Sequence, residues 1–273
     1  MRTQAEKGEA FRALHQGNGA FIMPNPFDVG SARMLAYLGF QSLATTSAGY
    51  AFSIGQRDGS VGRERMLAHV AEIVAATDLP VNADLENGFG DDPKTAAETI
   101  RMGAEAGLVG ASIEDSTGRS DEPVYDHALA VERIRAAAAA ARSLPFKFTL
   151  TARAENFIVG RRDLSDTIKR LQAFQEAGAD VLYAPGLMTK DEITAVVGSV
   201  DRPVNVVMGL QGVQLDLTTL STIGVKRVSV GSALARAAFG AFLRAAREMR
   251  ENGSFEFSKD AVSYRDLSAM LRG

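Results

Sequence analysis

Eight short apolar segments alternate with helical stretches along the 273 residues, and this alternation predicts an α/β fold, a single (β/α)8 TIM barrel. Four glycines, Gly39, Gly107, Gly178 and Gly224, each follow a helical stretch and precede a strand, as left-handed helix ends do. The length suits one such barrel, and the sequence shows no linker between its halves. We therefore expect one domain over 1–273 with a helical tail over about 233–273. A doubly wound open sheet is the structural alternative.

The predicted strands are short runs rich in apolar and β-branched residues. In chain order they cover 21–23, 42–45, 81–84, 110–114, 148–153, 181–184, 204–207 and 227–230. Helical stretches between them include 63–76, 95–106, 128–142 and 165–177. Their lengths suit the crossovers that join parallel strands. The tail from Ala233 predicts a last barrel helix followed by a second short helix.

Composition excludes several classes of function. The 30 basic and 33 acidic residues give a net charge of −3, which offers no reason to expect nucleic acid or an anionic membrane surface as a partner. The absence of cysteine excludes disulfides, zinc–thiolate sites, iron–sulfur clusters and a cysteine nucleophile or acid. The sequence has no apolar run of about 20 residues and its N-terminal segment is polar, so a cytoplasmic location is expected.

Acidic side chains gather where the third and fourth predicted strands end. Asp84 and Glu86 follow the third strand, Glu114 and Asp115 follow the fourth, and Asp58 lies on the loop after the second. Carboxylates that share one barrel mouth repel each other, so a bound divalent cation is an economical explanation. All-oxygen ligands favour Mg²⁺, with Mn²⁺ as an alternative. The alternative reading is that these acids cap helices or pair with surface bases.

The fifth predicted strand ends in Arg153. An arginine there either pairs with a core carboxylate or holds a substrate carboxylate, and a neighbouring metal site favours the second role. Lys147 lies at the start of this strand, and the sequence places no lysine at the carboxyl end of any predicted strand. A Schiff-base aldolase is therefore disfavoured.

Several spaced motifs carry a family resemblance. They are TTSAG at 45–49, GQRD at 55–58, NADLENGFG at 82–90, ASIED at 111–115 and TARAE at 151–155. Over about residues 21–239 the chain resembles the isocitrate lyase/phosphoenolpyruvate mutase superfamily. The resemblance implies a Mg²⁺-dependent barrel that acts on 2-keto or 2-hydroxy carboxylates. The resemblance also implies that the enzyme makes or breaks a C–C or P–C bond next to the keto acid, and that the reaction passes through an enolate-like species.

The resemblance also implies roles for individual residues. Asp84 matches the direct metal ligand, while Asp58, Glu86 and Glu114 match carboxylates that hold metal-bound water. Glu86 stands where an aspartate is more usual. Arg153 matches the arginine that binds the substrate carboxylate, and we expect Arg153, Asp58 and Glu114 to be catalytic.

Substrate contacts are expected from two further places. The loop of Thr45, Thr46 and Ser47 matches the backbone that grips the carboxylate and keto oxygen, and Asn205 lies on the seventh predicted strand. Members of the superfamily are commonly tetramers that exchange a C-terminal helix between subunits. The resemblance therefore implies a homo-oligomer, a tetramer or dimer, with helix exchange through the tail after Ala233.

The loop after the fourth strand departs from the family pattern. The lyases carry a Lys-Lys-Cys-Gly-His type motif there, and the stretch 114–123 has neither Cys nor Lys. An isocitrate or methylisocitrate lyase is therefore disfavoured, and the Lys and Asn of the phosphonate enzymes are also absent. Arg119 and Asp115 are the loop groups that could replace the missing acid, although such residues are more often solvated.

The predicted metal site and Arg153 remain, and they favour a reaction that needs no acid from the loop after the fourth strand. The leading hypothesis is a lyase or decarboxylase that cleaves a C–C bond in a small 2-keto or 2-hydroxy di- or tricarboxylate resembling oxaloacetate, through a metal-stabilised enolate. One alternative is an enzyme of the phosphonopyruvate hydrolase or PEP phosphonomutase type, which acts on a P–C bond. Another is a non-catalytic binder of 2-keto acids.

Overall fold

Eight parallel strands form one sheet in the computed structural model, which describes residues 1–210 and 212–271. The strands are β1 Phe21–Ile22, β2 Leu43–Ala44, β3 Val81–Asp84, β4 Gly110–Glu114, β5 Thr149–Arg153, β6 Val181–Tyr183, β7 Val204–Val207 and β8 Arg227–Ser229. Their order in the sheet is β1-β8-β7-β6-β5-β4-β3-β2. Each strand matches a predicted apolar run to within a few residues, which confirms the predicted α/β fold.

The two edge strands, β1 and β2, are brought together by a few polar contacts. The amide of Ala44 donates to the carbonyl of Pro24 at 3.0 Å. Asn25 follows β1, and its Nδ2 donates to the Thr45 carbonyl at 2.9 Å. Its Oδ1 accepts from the amides of Val230 and Gly231, just after β8, at 2.9 and 3.0 Å. One side chain thus ties the ends of three strands and curls the sheet into a barrel.

The helices lie between the strands and in the tail. They are α1 Gln4–Gln16, α2 Val29–Tyr37, α3 Ser47–Ser53, α4 Arg63–Ala76, α5 Pro93–Glu105, α6 His127–Arg142, α7 Leu164–Ala177, α8 Lys190–Gly198, α9 Leu217–Thr222, α10 Ala233–Asn252 and α11 Tyr264–Met270. The predicted helix 63–76 is confirmed to the residue. The one predicted from Thr95 begins at Pro93, because the Asp92 side chain caps it by accepting from the Lys94 amide.

Local signals explain two further features of the helices. Gly39, Gly107, Gly178 and Gly224 have φ of 84°, 98°, 110° and 90°, which confirms the predicted left-handed joints. Helix α1 was not among the predicted elements, although Thr3 and Glu6 form a capping box at its start. It approaches the start of β5 so closely that a Cβ on Gly8 would lie 2.3 Å from the Lys147 carbonyl oxygen.

The C-terminal tail is less buried than the barrel helices. It forms α10 and the short helix α11, as the sequence predicts, with an unpredicted 3-10 helix Glu256–Asp260 between them. Residues 272 and 273 lie outside the described residues. Within α10, Ala235 is buried, whereas Phe242 is 68% and Leu243 50% exposed. Among the described helices, none is both long and apolar enough to cross a membrane.

Candidate active site

The carboxyl ends of β3, β4 and β5 converge on Arg153. Its Nη1 lies 2.8 Å from Asp84 Oδ1, its Nη2 3.1 Å from Glu114 Oε2, and its Nε 2.9 Å from Glu155 Oε1. Glu114 and Arg153 are register partners in the β4–β5 ladder, so the last two contacts follow from strand pairing and chain proximity. The contact to Asp84 crosses β4. Each guanidinium nitrogen therefore binds a different carboxylate.

Asp84 is held from both sides. Its Oδ2 accepts from the amide and the hydroxyl of Ser47 at 3.3 and 3.0 Å. Its own amide donates to Thr45 Oγ1 at 3.1 Å. Thr46, which follows Thr45 in the chain, caps α3, because its side-chain hydroxyl accepts a hydrogen bond from the Gly49 amide at 3.2 Å. The loop predicted to bind substrate thus positions the residue predicted to bind metal.

Glu86 has an unusual backbone conformation and partly buried surroundings. Its backbone is left-handed, with φ of 50°, a strained conformation for a non-glycine residue. Burial, and after it the charges of Asp84 and Asp58, raises the pKa of Glu86 to about 7. Its buried Oε1 has no hydrogen-bond partner in the described part of the chain. That oxygen is available to a cation or to a water bound to one.

Three more carboxyls have raised pKa values. Asp58 lies on the loop after α3, where its side chain lines the cavity. Partial desolvation there, and after it the Asp84 charge, raises the pKa of Asp58. Burial raises the pKa of Glu114, and the Arg153 charge opposes that rise. Burial also raises the pKa of Glu155, and the Arg153 charge again opposes the rise. With Asp84 and Glu86, five carboxyl groups lie at this mouth. The guanidinium of Arg153 binds three of them, so the carboxyl groups outnumber the positive charge that lies among them.

This donor set fits a divalent cation. It is made of carboxylate oxygens, the ligands that Mg²⁺ and Mn²⁺ prefer, and one of them is buried without a partner. In residues 1–210 and 212–271, no three acidic or histidine side chains are already arranged around one point at metal-ligand spacing. His15, His69 and His127 lie on α1, α4 and α6. The predicted acids Asp58, Asp84, Glu86 and Glu114 do lie at one mouth.

A cavity of about 250 Å³ opens beside the cluster. The predicted contacts Thr45, Thr46, Ser47, Arg153 and Asn205 all line it, as do Asp58 and Asp84. Glu86, Glu114 and Glu155 line an adjoining cleft of about 810 Å³, which shares Asp58 and Arg153 with the cavity. Arg153 and Asp58 therefore lie between the two spaces. The volume of the smaller one suits a compact ligand.

The predicted loop acids lie elsewhere. Asp115 is buried, with Oδ2 3.1 Å from Arg170 Nη1 and Oδ1 accepting the Glu155 amide at 2.8 Å. Arg119 pairs with Asp91 at 2.9 Å on the surface. The structure thus engages both residues in contacts outside the cavity, and their role as a loop acid stays a prediction.

Three residues of the site had no predicted role. Glu155 binds Arg153, and Tyr183 lines the cavity with its ring centroid 5.2 Å from the Arg153 guanidinium carbon. Arg227 also lines the cavity, although it opens β8. A charged residue at the start of an otherwise apolar strand was the available signal for Arg227. For Tyr183 the signal was its place at the carboxyl end of β6.

Comparisons with known proteins show the family to which the chain is similar. The sequence model of the Phosphoenolpyruvate phosphomutase family matches residues 11–250. A crystal structure from Burkholderia cenocepacia J2315, described in general terms as a lyase/mutase, is 65% identical, with a TM-score of 0.96 and coverage of 97% of this chain and 96% of that one.

Two curated relatives have named reactions. A probable 2-methylisocitrate lyase 2 of Corynebacterium glutamicum is 28% identical over 98% of this chain and 89% of its own length. An oxaloacetate decarboxylase of Pseudomonas savastanoi pv. phaseolicola is 28% identical over 89% of this chain and 84% of its own. Both relatives match most of the barrel.

Proposed function

The chain belongs to the phosphoenolpyruvate phosphomutase family, within the isocitrate lyase/phosphoenolpyruvate mutase superfamily of enzymes, and from this premise we propose that it is a Mg²⁺-dependent lyase or decarboxylase of small 2-keto or 2-hydroxy dicarboxylates. Oxaloacetate is the substrate we favour. The observation that carries the proposal is the excess of carboxylates around Arg153 beside a compact polar cavity.

Asp84 would hold the cation, and Asp58, Glu86 and Glu114 would hold it directly or through water. Mn²⁺ is the alternative ion. When bound, the cation supplies electrostatic stabilisation of the negative charge that develops on the keto oxygen. A relative named oxaloacetate decarboxylase supports this chemistry.

The chain's own residues would bind and orient the substrate. Arg153 is held by three carboxylates, so its positive charge has a fixed position at the cavity wall, where it would orient a substrate carboxylate. Backbone groups of Thr45, Thr46 and Ser47 would bind the carboxylate and keto oxygen, and Asn205, which lines the same cavity, would provide a further contact. In oxaloacetate the C3–C4 bond breaks, CO₂ leaves, and the bond's electron pair forms the enolate. A proton then adds to C3 to give pyruvate.

A P–C bond reaction is the second candidate, because the matching family model is that of a phosphomutase. Its substrate would be phosphonopyruvate or phosphoenolpyruvate. A binder of 2-keto acids without turnover is a third possibility that the same assay separates.

We also propose that the protein works in the cytoplasm as a homo-oligomer, a tetramer or dimer, through exchange or packing of α10. The exposed side chains of Phe242 and Leu243 support such a contact.

A proton NMR time course of oxaloacetate tests the main proposal. It is run with Mg²⁺, with excess EDTA, and with Asp84→Ala as the control for spontaneous decarboxylation. Metal-dependent pyruvate is the expected result, whereas oxalate plus acetate would indicate hydrolytic cleavage. Phosphate released from phosphonopyruvate would favour the P–C reaction. Metal-dependent binding of oxalate, with every substrate left unchanged, would favour the binder.

A further inference from the structure

Arg227 is a buried arginine in the interior of the barrel. It is 2% exposed, opens β8, and lines the same 250 Å³ cavity as Asp84 and Arg153. Its position at the start of the strand places it on the opposite side of the cavity from the acidic strand ends. We call this side of the cavity, where the Arg227 side chain lies, the cavity floor.

The partners of Arg227 are neutral. Its Nε donates to Asn205 Oδ1 at 2.8 Å and its Nη2 to Thr151 Oγ1 at 2.9 Å. Its Nη1 lies 3.3 Å from Nε2 of His15. The Nδ1 of His15 lies 2.9 Å from the Phe11 carbonyl, so the ring proton belongs on Nδ1, and Nε2 is left as an acceptor. Burial lowers the pKa of His15 to about 3, which keeps the ring uncharged.

Arg227 forms no ion pair within 4.0 Å among residues 1–210 and 212–271. Burial lowers the pKa of its guanidinium to about 9, so the group still carries its charge at neutral pH. A buried charge without a counter-charge is costly to a folded protein. Three of its five N–H donors are accounted for by Asn205, Thr151 and His15.

The half-buried Arg153 and the buried Arg170 and Arg133 differ from Arg227. Arg153 is bound by three carboxylates, and Arg170 by Asp115 and Asp166. Arg133 donates hydrogen bonds to backbone carbonyls of the loop after β3, and it does not line the cavity. Arg227 therefore combines three properties: burial, a cavity wall and partners that are all neutral.

We propose that Arg227 is a specificity-determining residue, whose charge at the cavity floor is neutralised by the second carboxylate of the ligand. The cavity then binds dicarboxylates in preference to monocarboxylates. This inference rests on the proposed function for the nature of the ligand's first carboxylate and keto or hydroxyl group. The new element is the contact between Arg227 and the second carboxylate of the ligand.

Malate and lactate form the matched ligand pair, since both are 2-hydroxy acids and malate has the additional carboxylate. Isothermal titration calorimetry of the full chain with Mg²⁺ measures both affinities. The wild type should bind malate about tenfold or more tightly than lactate, which is the usual value of a contact with an ionised group. Arg227→Gln should weaken malate binding by about 10–100-fold and leave lactate binding unchanged.

Two further variants make the test decisive. Arg227→Met removes the charge with a different packing requirement, so it serves if the glutamine variant does not fold. Thr151→Val removes one hydrogen-bond partner and keeps the charge, and it should retain the preference for malate. A neutral variant that keeps the wild-type malate-to-lactate ratio would overturn the inference, and so would a wild type that binds the two ligands equally or binds neither.

The result is distinguishable from a failure of the proposed reaction. A preference for malate that disappears in Arg227→Gln supports this inference even if oxaloacetate is not turned over. Turnover of oxaloacetate with an unchanged ratio in Arg227→Gln would support the reaction and overturn the role of Arg227.

Discussion

Arg153 on β5 and Asp84 on β3 form an ion pair of 2.8 Å that crosses the intervening strand β4. Strand pairing does not produce this contact, because the two strands are not neighbours in the sheet. It depends on the curl of the barrel, which turns their ends toward each other. The same guanidinium holds Glu114 and Glu155, so one side chain binds three of the carboxylates at the acidic mouth.

Arg153→Lys should lower the free energy of unfolding by roughly 1.5–3 kcal/mol, the range for losing a hydrogen bond to a charged group. A lysine has a single nitrogen and cannot bind three carboxylates in the directions of a guanidinium fork. Urea unfolding measures the change. The matched control is Arg135→Lys, which alters an exposed pair with Glu132 and should change stability by less than about 0.5 kcal/mol. Equal losses in the two variants would contradict the prediction.

Glu86→Gln should stabilise the protein by about 1–2 kcal/mol at pH 8 in EDTA, after allowance for partial exposure. The pKa of Glu86 is raised from its ordinary value of 4.5 to about 7. Its ionisation therefore destabilises the fold increasingly as the pH rises between these two values, and the full effect is present above pH 7. The gain should shrink at pH 5, where the folded carboxyl is protonated. Added Mg²⁺ should reverse the order of the two proteins, because the variant loses a metal-binding carboxylate. Thermal melts at both pH values, with and without Mg²⁺, check this.

His15 and His69 should make the fold sensitive to mild acid. Burial lowers the pKa of His15 to about 3 and that of His69 to about 4, while an unfolded histidine titrates near 6.5. Unfolding below pH 6.5 therefore takes up protons, and stability is lost as the pH falls from about 6.5 toward 4. The cost is about 2 kcal/mol per histidine at pH 5.

The raised carboxyl pKa values at the mouth act in the opposite direction, so the measurement is a difference between proteins. The stability loss from pH 7.5 to pH 5 should be smaller in His15→Gln than in the wild type by about 2 kcal/mol. Parallel curves for the two proteins would show that His15 does not carry this acid sensitivity.

Gly8→Ala should destabilise the fold by about 1–3 kcal/mol, the usual cost of overpacking. The new Cβ would lie 2.3 Å from the Lys147 carbonyl oxygen, so α1 would have to move away from the barrel. Gly198→Ala is the control, since its Cβ at the end of α8 would meet nothing within 4 Å. That variant should be neutral or more stable by up to about 1 kcal/mol. Chemical denaturation of both variants measures the contrast.

Phe242→Asp should shift the protein from an oligomer to smaller species. Phe242 is 68% exposed on α10, and a charge there would oppose apolar packing between subunits. Leu38→Asp, at a residue that is 64% exposed after α2, serves as the control and should leave the mass unchanged. Light scattering coupled to size-exclusion chromatography gives the masses. A monomeric wild type would contradict the proposed assembly.

Much of the fold could be predicted because its signals are local. The runs 81–84, 110–114 and 204–207 agree with the observed strands to the residue, since a buried parallel strand is a short apolar run. Helix α1 was missed although Thr3 and Glu6 form its capping box, because that signal lies ahead of the repeating pattern. The acidic residues of the site could be predicted because strand ends in a barrel share one face.

By itself the sequence determined the alternating α/β architecture, the glycine joints and the identity of the acids at the mouth, all of which depend on residues close together in the chain. The tertiary structure alone decided which partners those side chains take. Arg153 is bound by three carboxylates, Asp115 turns to Arg170, and Arg227 meets His15 from 212 positions away. The physical reason is that barrel closure brings together residues from distant strands and from α1. Burial then strengthens the interaction of each side chain with the neighbouring charges and hydrogen-bonding groups.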